Sequence, residues 1–200
     1  MKRLIIASKN KKKVEEIVDI LNDFPFEVVS MEQAGINNDI EETGKTFEEN
    51  AKLKAVEIFK ASGEPAFADD SGIEIDYLDG KPGIYSARFA GKDATDDDRN
   101  KKILKMLEGV PYEKRTARFI CAIALVLSEN EHFIVKGICE GIISKEPKGE
   151  NGFGYDPIFY VPEYNMTTAQ MPPAQKHKIS HRGKALDLMV EELKKYMKNT

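Results

Sequence analysis

Cysteine is scarce in this 200-residue chain: only Cys121 and Cys139 occur, both within apolar, β-like stretches. Thiols so placed read as buried and reduced, and no Cys/His spacing of the zinc type is present. A long apolar run is missing too. The longest covers residues 119–127, far short of the about 20 residues that cross a bilayer. At the N-terminus four apolar residues give way at once to polar ones, which is not a secretory h-region. The expectation is a soluble, cytoplasmic protein with no membrane partner. Positive charge is not in excess either: 30 Lys and Arg stand against 34 Asp and Glu, a formal net charge of −4. That argues against a nucleic-acid polymer as partner, since such domains are clearly basic. No internal repeat or interdomain linker breaks the chain. Its length fits one domain over residues 1–200, or one domain with two lobes.

What is present is a regular alternation of elements. A strand is expected over residues 3–7. A helix follows, with Val14, Ile17, Val18 and Leu21 at i, i+3, i+4, i+7 spacing and Asn10 as N-cap. Residues 26–30 read as a second strand. Thr46 and Glu49 form a capping box for a second helix, apolar at Ala51, Ala55, Ile58 and Phe59, which Ser62 and Gly63 end. "PAFADDSGIEIDYL" reads as a strand, a tight turn at Ser71 and Gly72, and another strand; "DGKPG" is a turn by composition. A third helix starts at Thr95, with Asp96, Asp97 and Asp98 in the first turn where the dipole favours acids, and stops at Gly109, Val110 and Pro111. Residues 116–127 and 132–143 form a hairpin around "SENE". A loop runs to about Tyr164. Ser180 caps a last helix with Ala185, Leu188, Met189, Leu193 and Tyr196 on one side. The pattern favours an α/β or α+β fold on a mixed sheet.

Several stretches carry candidate chemistry. In "SKNKKK", four lysines crowd a helix start, the end that repels cations. Free backbone N–H groups there, with Ser8, Asn10 and a lysine, would hold an anion; read alone, the stretch favours a solvated basic turn. No Walker A pattern exists. "KHKISHRGKAL" repeats the anomaly, with Lys176 and Lys178 before the Ser180 cap and His181 and Arg182 after it. "FADDSG" puts two aspartates at a strand end, facing opposite sides, and "DIEETG" offers Glu41 and Glu42. One carboxylate from each, with phosphate oxygens and waters, is the usual shell of Mg²⁺; a plain turn is the other reading. In "NGFGYDPIFY", Gly152 and Gly154 let the backbone approach a ligand, and Phe153 and Tyr155 could stack on a base or pack on the sheet. Asp156, held extended before Pro157, could accept from a ring N–H.

"SKNKKK", "FADDSG", "PGIYSARFAG", "GFGYDPIF" and "SHRGKAL", in that order, closely resemble the inosine triphosphate pyrophosphatase family, the dITP/XTP house-cleaning enzymes. The resemblance spans residues 4–188. It implies an elongated, twisted mixed sheet with flanking helices, two lobes and a central cleft, in a homodimer. It implies Mg²⁺-dependent hydrolysis of non-standard purine triphosphates (ITP, dITP, XTP) to the monophosphate and pyrophosphate. By the same resemblance Ser8, Asn10 and Lys13 hold the triphosphate; Lys13 lies one helical turn past the Asn10 cap, so Lys9, Lys11 and Lys12, beside it in the substrate-binding stretch, are expected to carry less weight. Glu41 and Asp70 bind the metal, and Asp70 accepts the proton of the attacking water. Ser71 touches substrate; Phe153, Gly154, Tyr155 and Asp156 form the base-side loop; Lys176, His181 and Arg182 complete recognition. Two alternatives carry a different expectation: a pyrophosphatase for another nucleotide, such as a pyrimidine triphosphate, and a non-catalytic nucleotide binder.

Overall fold

A computed structural model describes residues 2–8, 11–21, 24–37 and 40–199. Seven strands form one mixed sheet: β1 (Lys2–Ile6), β2 (Phe26–Ser30), β3 (Ala66–Ile75), β4 (Thr116–Ser128), β5 (Glu131–Ile143), β6 (Phe159–Val161) and β7 (Met166–Thr167), in the order β2-β1-β3-β4-β5-β6-β7. β1 runs parallel to β2 and β3, with Leu4 opposite Val28 and Ile5 opposite Ala66. β5, β6 and β7 are antiparallel neighbours. The helices are α1 (Lys11–Leu21), α2 (Phe47–Ser62), α3 (Asp96–Met106), α4 (Pro173–Ile179) and α5 (His181–Asn199).

By contacts the chain divides into two compact units. The first comprises Met1–Asp70, Cys121–Gly137 and Lys184–Thr200; the second comprises Ser71–Ile120 and Ile138–Gly183. The first unit's core gathers Leu4 and Ile6 of β1, Ile17 and Leu21 of α1, Phe67 of β3, Ile123 and Leu125 of β4, and Met189 and Leu193 of α5. The second unit's core holds Ile73, Ile75, Ile103, Leu107, Phe119, Phe159 and Met171. Truncating one of these large side chains to alanine costs about 2–5 kcal/mol. The long apolar run is β4, whose residues 120–126 are buried on both faces, as befits a central strand.

Local signals explain the helices. Thr46 accepts from Glu49 N, and Gly63 closes α2 at φ +70. Thr95 and Asp98 form a capping box on α3. The end of α3 is tied down by Arg115, a buried guanidinium that donates to the carbonyls of Leu107, Ile143 and Ser144. Both cysteines are buried and unbridged. Among the described residues no helix is long and apolar enough to cross a membrane.

Three expectations fail. "PAFADDSGIEI" is not broken by a turn: β3 runs through Ser71 and Gly72, and Gly72 does not take a positive φ. Nearly every β3 side chain is buried, so a chain reversal there would strip the core. The expected loop to Tyr164 contains the short strand β6, with β7 just beyond it, each too brief to show a period. On α5, Leu186 is buried and Leu188 exposed, because the stripe runs through Ala185, Met189 and Leu193 and leaves Leu188 to one side.

Candidate active site

Asp69 and Asp70 occupy the middle of β3 and send their side chains to different partners, as successive strand residues must. Asp69 Oδ2 pairs with Lys13 Nζ of α1 at 2.8 Å. Asp70 instead meets α2: Asn50 Nδ2 donates to its Oδ2 at 3.1 Å, and Lys54 Nζ lies 3.5 Å from its Oδ1. Asn50 and Lys54 are four residues apart, hence on one helix face. Lys54 also holds Glu42 Oε1 at 2.8 Å. Asn50, fully buried, accepts from Gly44 N at 2.8 Å and so ties the "EETG" loop to Asp70. Gly44 has to be glycine, because a Cβ there would lie 2.6 Å from Asn50 Oδ1.

The electrostatics follow from this packing. Burial pushes the Asp70 carboxyl above its ordinary range; Lys54 and Asn50 pull it down, but Glu42 and Asp69 add to the rise. Burial alone would lower the Lys54 ammonium, yet the charges of Asp70, Asp69 and Glu42 hold it above its usual value. Three carboxylates therefore act on Lys54, and Asp69 is paired with Lys13 as well. Hard oxygen donors with surplus negative charge fit a small divalent cation. Among the described residues no cluster of three or more His, Cys, Asp or Glu is arranged to hold a metal by itself; Mg²⁺ needs only one or two carboxylates when substrate phosphates supply the rest.

The structure thus brings Asp70 and Glu42 together at Lys54, while Lys13 pairs with the neighbouring Asp69. Glu41 is exposed, and its neighbour Glu42 is the one that pairs with Lys54. Ser8 is half-buried beyond β1, and Ser71 follows Asp70 along β3. Lys9 and Asn10, and the side chains of Lys11 and Lys12, lie outside the described residues. Asn50 and Lys54 were missed by sequence reasoning. Their signal was two polar residues at i, i+4 beside the buried alanines of α2, on a face expected to be apolar.

The second unit holds the other candidates. Phe153 is 44% exposed, with Lys176 Nζ 5.2 Å and the Arg182 guanidinium 5.6 Å from its ring centre. Asp156 is buried, and its carboxylate is already engaged: Oδ2 accepts from Phe153 N and from Lys176 Nζ, and Oδ1 from Thr168 Oγ1. It opens a 3-10 turn, Asp156–Ile158, rather than an extended segment, so its work is to shape the loop and aim Lys176. Gly152 (φ +80) must lack a side chain, since a Cβ would strike that carboxylate at 2.1 Å. Tyr155 is no platform: it is buried in the core, its hydroxyl donates to Ser86 O at 2.6 Å, and burial raises its pKa further. "PGIYSARFAG" thereby gains a role, for Ser86 anchors this loop while its own Oγ accepts from Ile73 N. Arg88, in the same motif, lies over the Tyr85 ring.

At "KHKISHRGKAL" the anomaly dissolves in part. Lys176, His177 and Lys178 sit in the last turn of α4, the end that favours cations. Ser180 does cap α5, accepting from Gly183 N at 3.0 Å. His181 stacks on Phe119, with ring centres 4.8 Å apart. The three acids of α3 are all spoken for: Asp96 by Gly154 N and Arg99, Asp97 by Lys101, Asp98 by the cap.

Buried carboxylates under lysines, on a mixed α/β sheet, define an enzyme built for phosphoanhydride chemistry. Residues 4–192 match the Ham1 family, and the chain belongs to it. It is 48% identical over 204 residues to the dITP/XTP pyrophosphatase of Clostridium perfringens, with 99% of this chain and 100% of that one covered. The dITP/XTP pyrophosphatase of Vibrio parahaemolyticus is 48% identical over 195 residues, covering 96% and 97%. A HAM1 protein from Coxiella burnetii superposes with a TM-score of 0.92 at 45% identity, over 98% of this chain and 100% of that chain.

Proposed function

We propose that this chain hydrolyses non-standard purine nucleoside triphosphates (dITP or ITP, and XTP) to the monophosphate and pyrophosphate. The observation that carries the reading is the Asp70 centre: a buried carboxylate with a raised pKa, hydrogen-bonded by Asn50 and flanked by Lys54 and Glu42. A raised pKa suits a general base, because proton affinity then approaches the working pH. Asp70 takes the proton of a water that attacks the α-phosphorus. The new P–O bond forms as the bond to the α,β-bridging oxygen breaks, and pyrophosphate leaves with that electron pair. Lys13 and Lys54 offset the charge that grows on the leaving group, with Ser8, Asn10 and the other lysines of "SKNKKK" completing the phosphate contacts. Asp70 and Glu42 are the residues that would hold Mg²⁺, which supplies further neutralisation of phosphate charge when bound.

The second unit's cluster serves base recognition. Phe153 offers the stacking face, and Lys176, His181 and Arg182 are donors. A six-keto oxygen accepts from such donors, whereas the six-amine of adenine leaves one unpaired, at about 1–3 kcal/mol. Rejection of guanine calls for exclusion of its 2-amino group as well. The same reading makes the enzyme Mg²⁺-dependent, cytoplasmic and homodimeric, with residues 1–200 acting as one catalytic domain. A panel of nucleoside triphosphates with Mg²⁺, with pyrophosphate and phosphate measured separately, tests it. Pyrophosphate release with preference for dITP and XTP is expected; comparable kcat/KM for ATP and ITP, or preference for dTTP, refutes it.

A further inference from the structure

Two side chains of helix α3 hydrogen-bond one and the same residue of the base-side loop. Asp96 Oδ2 accepts from Gly154 N at 2.6 Å, and Asn100 Nδ2 donates to Gly154 O at 3.0 Å. The two side chains are four residues apart, so one face of the helix meets both polar groups of a single peptide residue. We infer that Asp96 and Asn100 are positioning residues for base selection: by gripping Gly154 they fix where Phe153 presents its ring. This rests on the reading of Phe153 as the base platform.

The Asn100 amide is the telling group. It is buried, and its Oδ1 has no partner among the described residues. Its orientation is not in question, since a flip would set Oδ1 against Gly154 O. A helix position facing the core that retains an amide with an unmet acceptor is costly to folding; leucine would fill that space without the penalty. The bond to Gly154 is therefore what the position serves. Asp96 supports it: although burial opposes ionisation, Gly154 N–H and Arg99 hold its carboxyl below the ordinary range. Gly154 takes φ +64, and around it the chain turns Tyr155 into the core while leaving Phe153 outside. α3 is itself firmly seated. Ile103 is buried, Arg99 reaches the carbonyls of Ala87 and Ala94, and Lys102 that of Phe89. A rigid helix thus sets the position of a loop that a bound base must meet.

Steady-state kinetics with dITP and dATP, and melting temperatures, on N100D, N100L, D96A, D96N and F153A give the test. Loss of one grip should raise KM for dITP roughly tenfold, the worth of one hydrogen bond, with kcat little changed and the dITP-to-dATP preference narrowed. D96N keeps an acceptor for Gly154 N–H and should recover most of what D96A loses. Folded N100D and N100L with unchanged KM and preference would overturn the inference. So would losses that only track the melting temperature, with D96N no better than D96A. If F153A also leaves KM for dITP unchanged, the base-platform reading falls and takes this inference with it; if F153A raises KM while N100D does not, the inference alone falls.

Discussion

Asp70 and Phe153 are held in place by different means. Asp70 stands inside a ten-residue strand that lies between β1 and β4 in the sheet order, with helix α2 supplying Asn50 and Lys54. Phe153 stands on a loop that has no ladder of its own. Its position comes from separate hydrogen bonds: Phe153 N–H donates to Asp156, Gly154 exchanges two with α3, and the Tyr155 hydroxyl donates to Ser86 O. On the proposed function, bond-making chemistry, which tolerates little displacement, falls on a strand, and recognition of a flat ring falls on a segment fastened at discrete points, where changing one bond should shift preference without disturbing the reaction.

That contrast can be broken in several ways. The largest effect belongs to Asp70→Asn, which should lower kcat by about 10²–10⁴-fold, the usual worth of a general base, while nucleotide binding by calorimetry persists. A near-normal rate would remove Asp70 from its role. Lys13→Ala comes next. It loses a phosphate contact and deprives buried Asp69 of an ion-pair partner, so both kcat/KM and denaturant stability should fall, the latter by about 1–3 kcal/mol. Lys11→Ala should do much less; equal damage would mean that the cradle uses another lysine. Phe153→Ala should act on KM alone, raising it by a factor of roughly 5 to 150 for about 1–3 kcal/mol of lost stacking. An equal fall in kcat would erase the distinction between the two regions. The smallest effect is a pH dependence. Asp96 is held below its ordinary range, so its contribution is fully present above the unfolded carboxylate value and is lost as pH falls through the lower folded value. The melting-temperature gap between wild type and Asp96→Asn should stay level from neutral pH down to about pH 5 and close only below the ordinary carboxylate range near about 4. A gap that widened on acidification would reverse the sign of the argument.

Much of this was legible in the sequence because local rules acted alone. Thr46, Glu49 and Gly63 bound α2, Thr95 and Asp98 start α3, and the β4–β5 hairpin follows from its apolar runs. Where local and tertiary signals conflicted, the tertiary ones won. Ser71 and Gly72 read as a turn, yet burial of the flanking residues drew them into β3. Tyr155 read as a loop aromatic, yet Ser86, distant in sequence, gave its hydroxyl a partner inside the core. Lys176 and Lys178 looked misplaced because α4 is a single short helix with no period to reveal it. The acids of "EETG" could not be told apart by composition. Only the fold shows that Glu42 is the one that meets Lys54, twelve residues on, while Glu41 is exposed.

Lys54 has one more consequence. Its ammonium lies between Asp70 and Glu42, so the fold carries its own counter-ion at the point where a divalent cation is proposed. Folding and metal supply are thereby uncoupled, unlike a structural zinc site that collapses without its ion. Chelation should stop turnover yet remove only the mass-action increment that any bound ligand adds to stability. In a cell short of magnesium such an enzyme would persist folded and idle, and resume work when the ion returned.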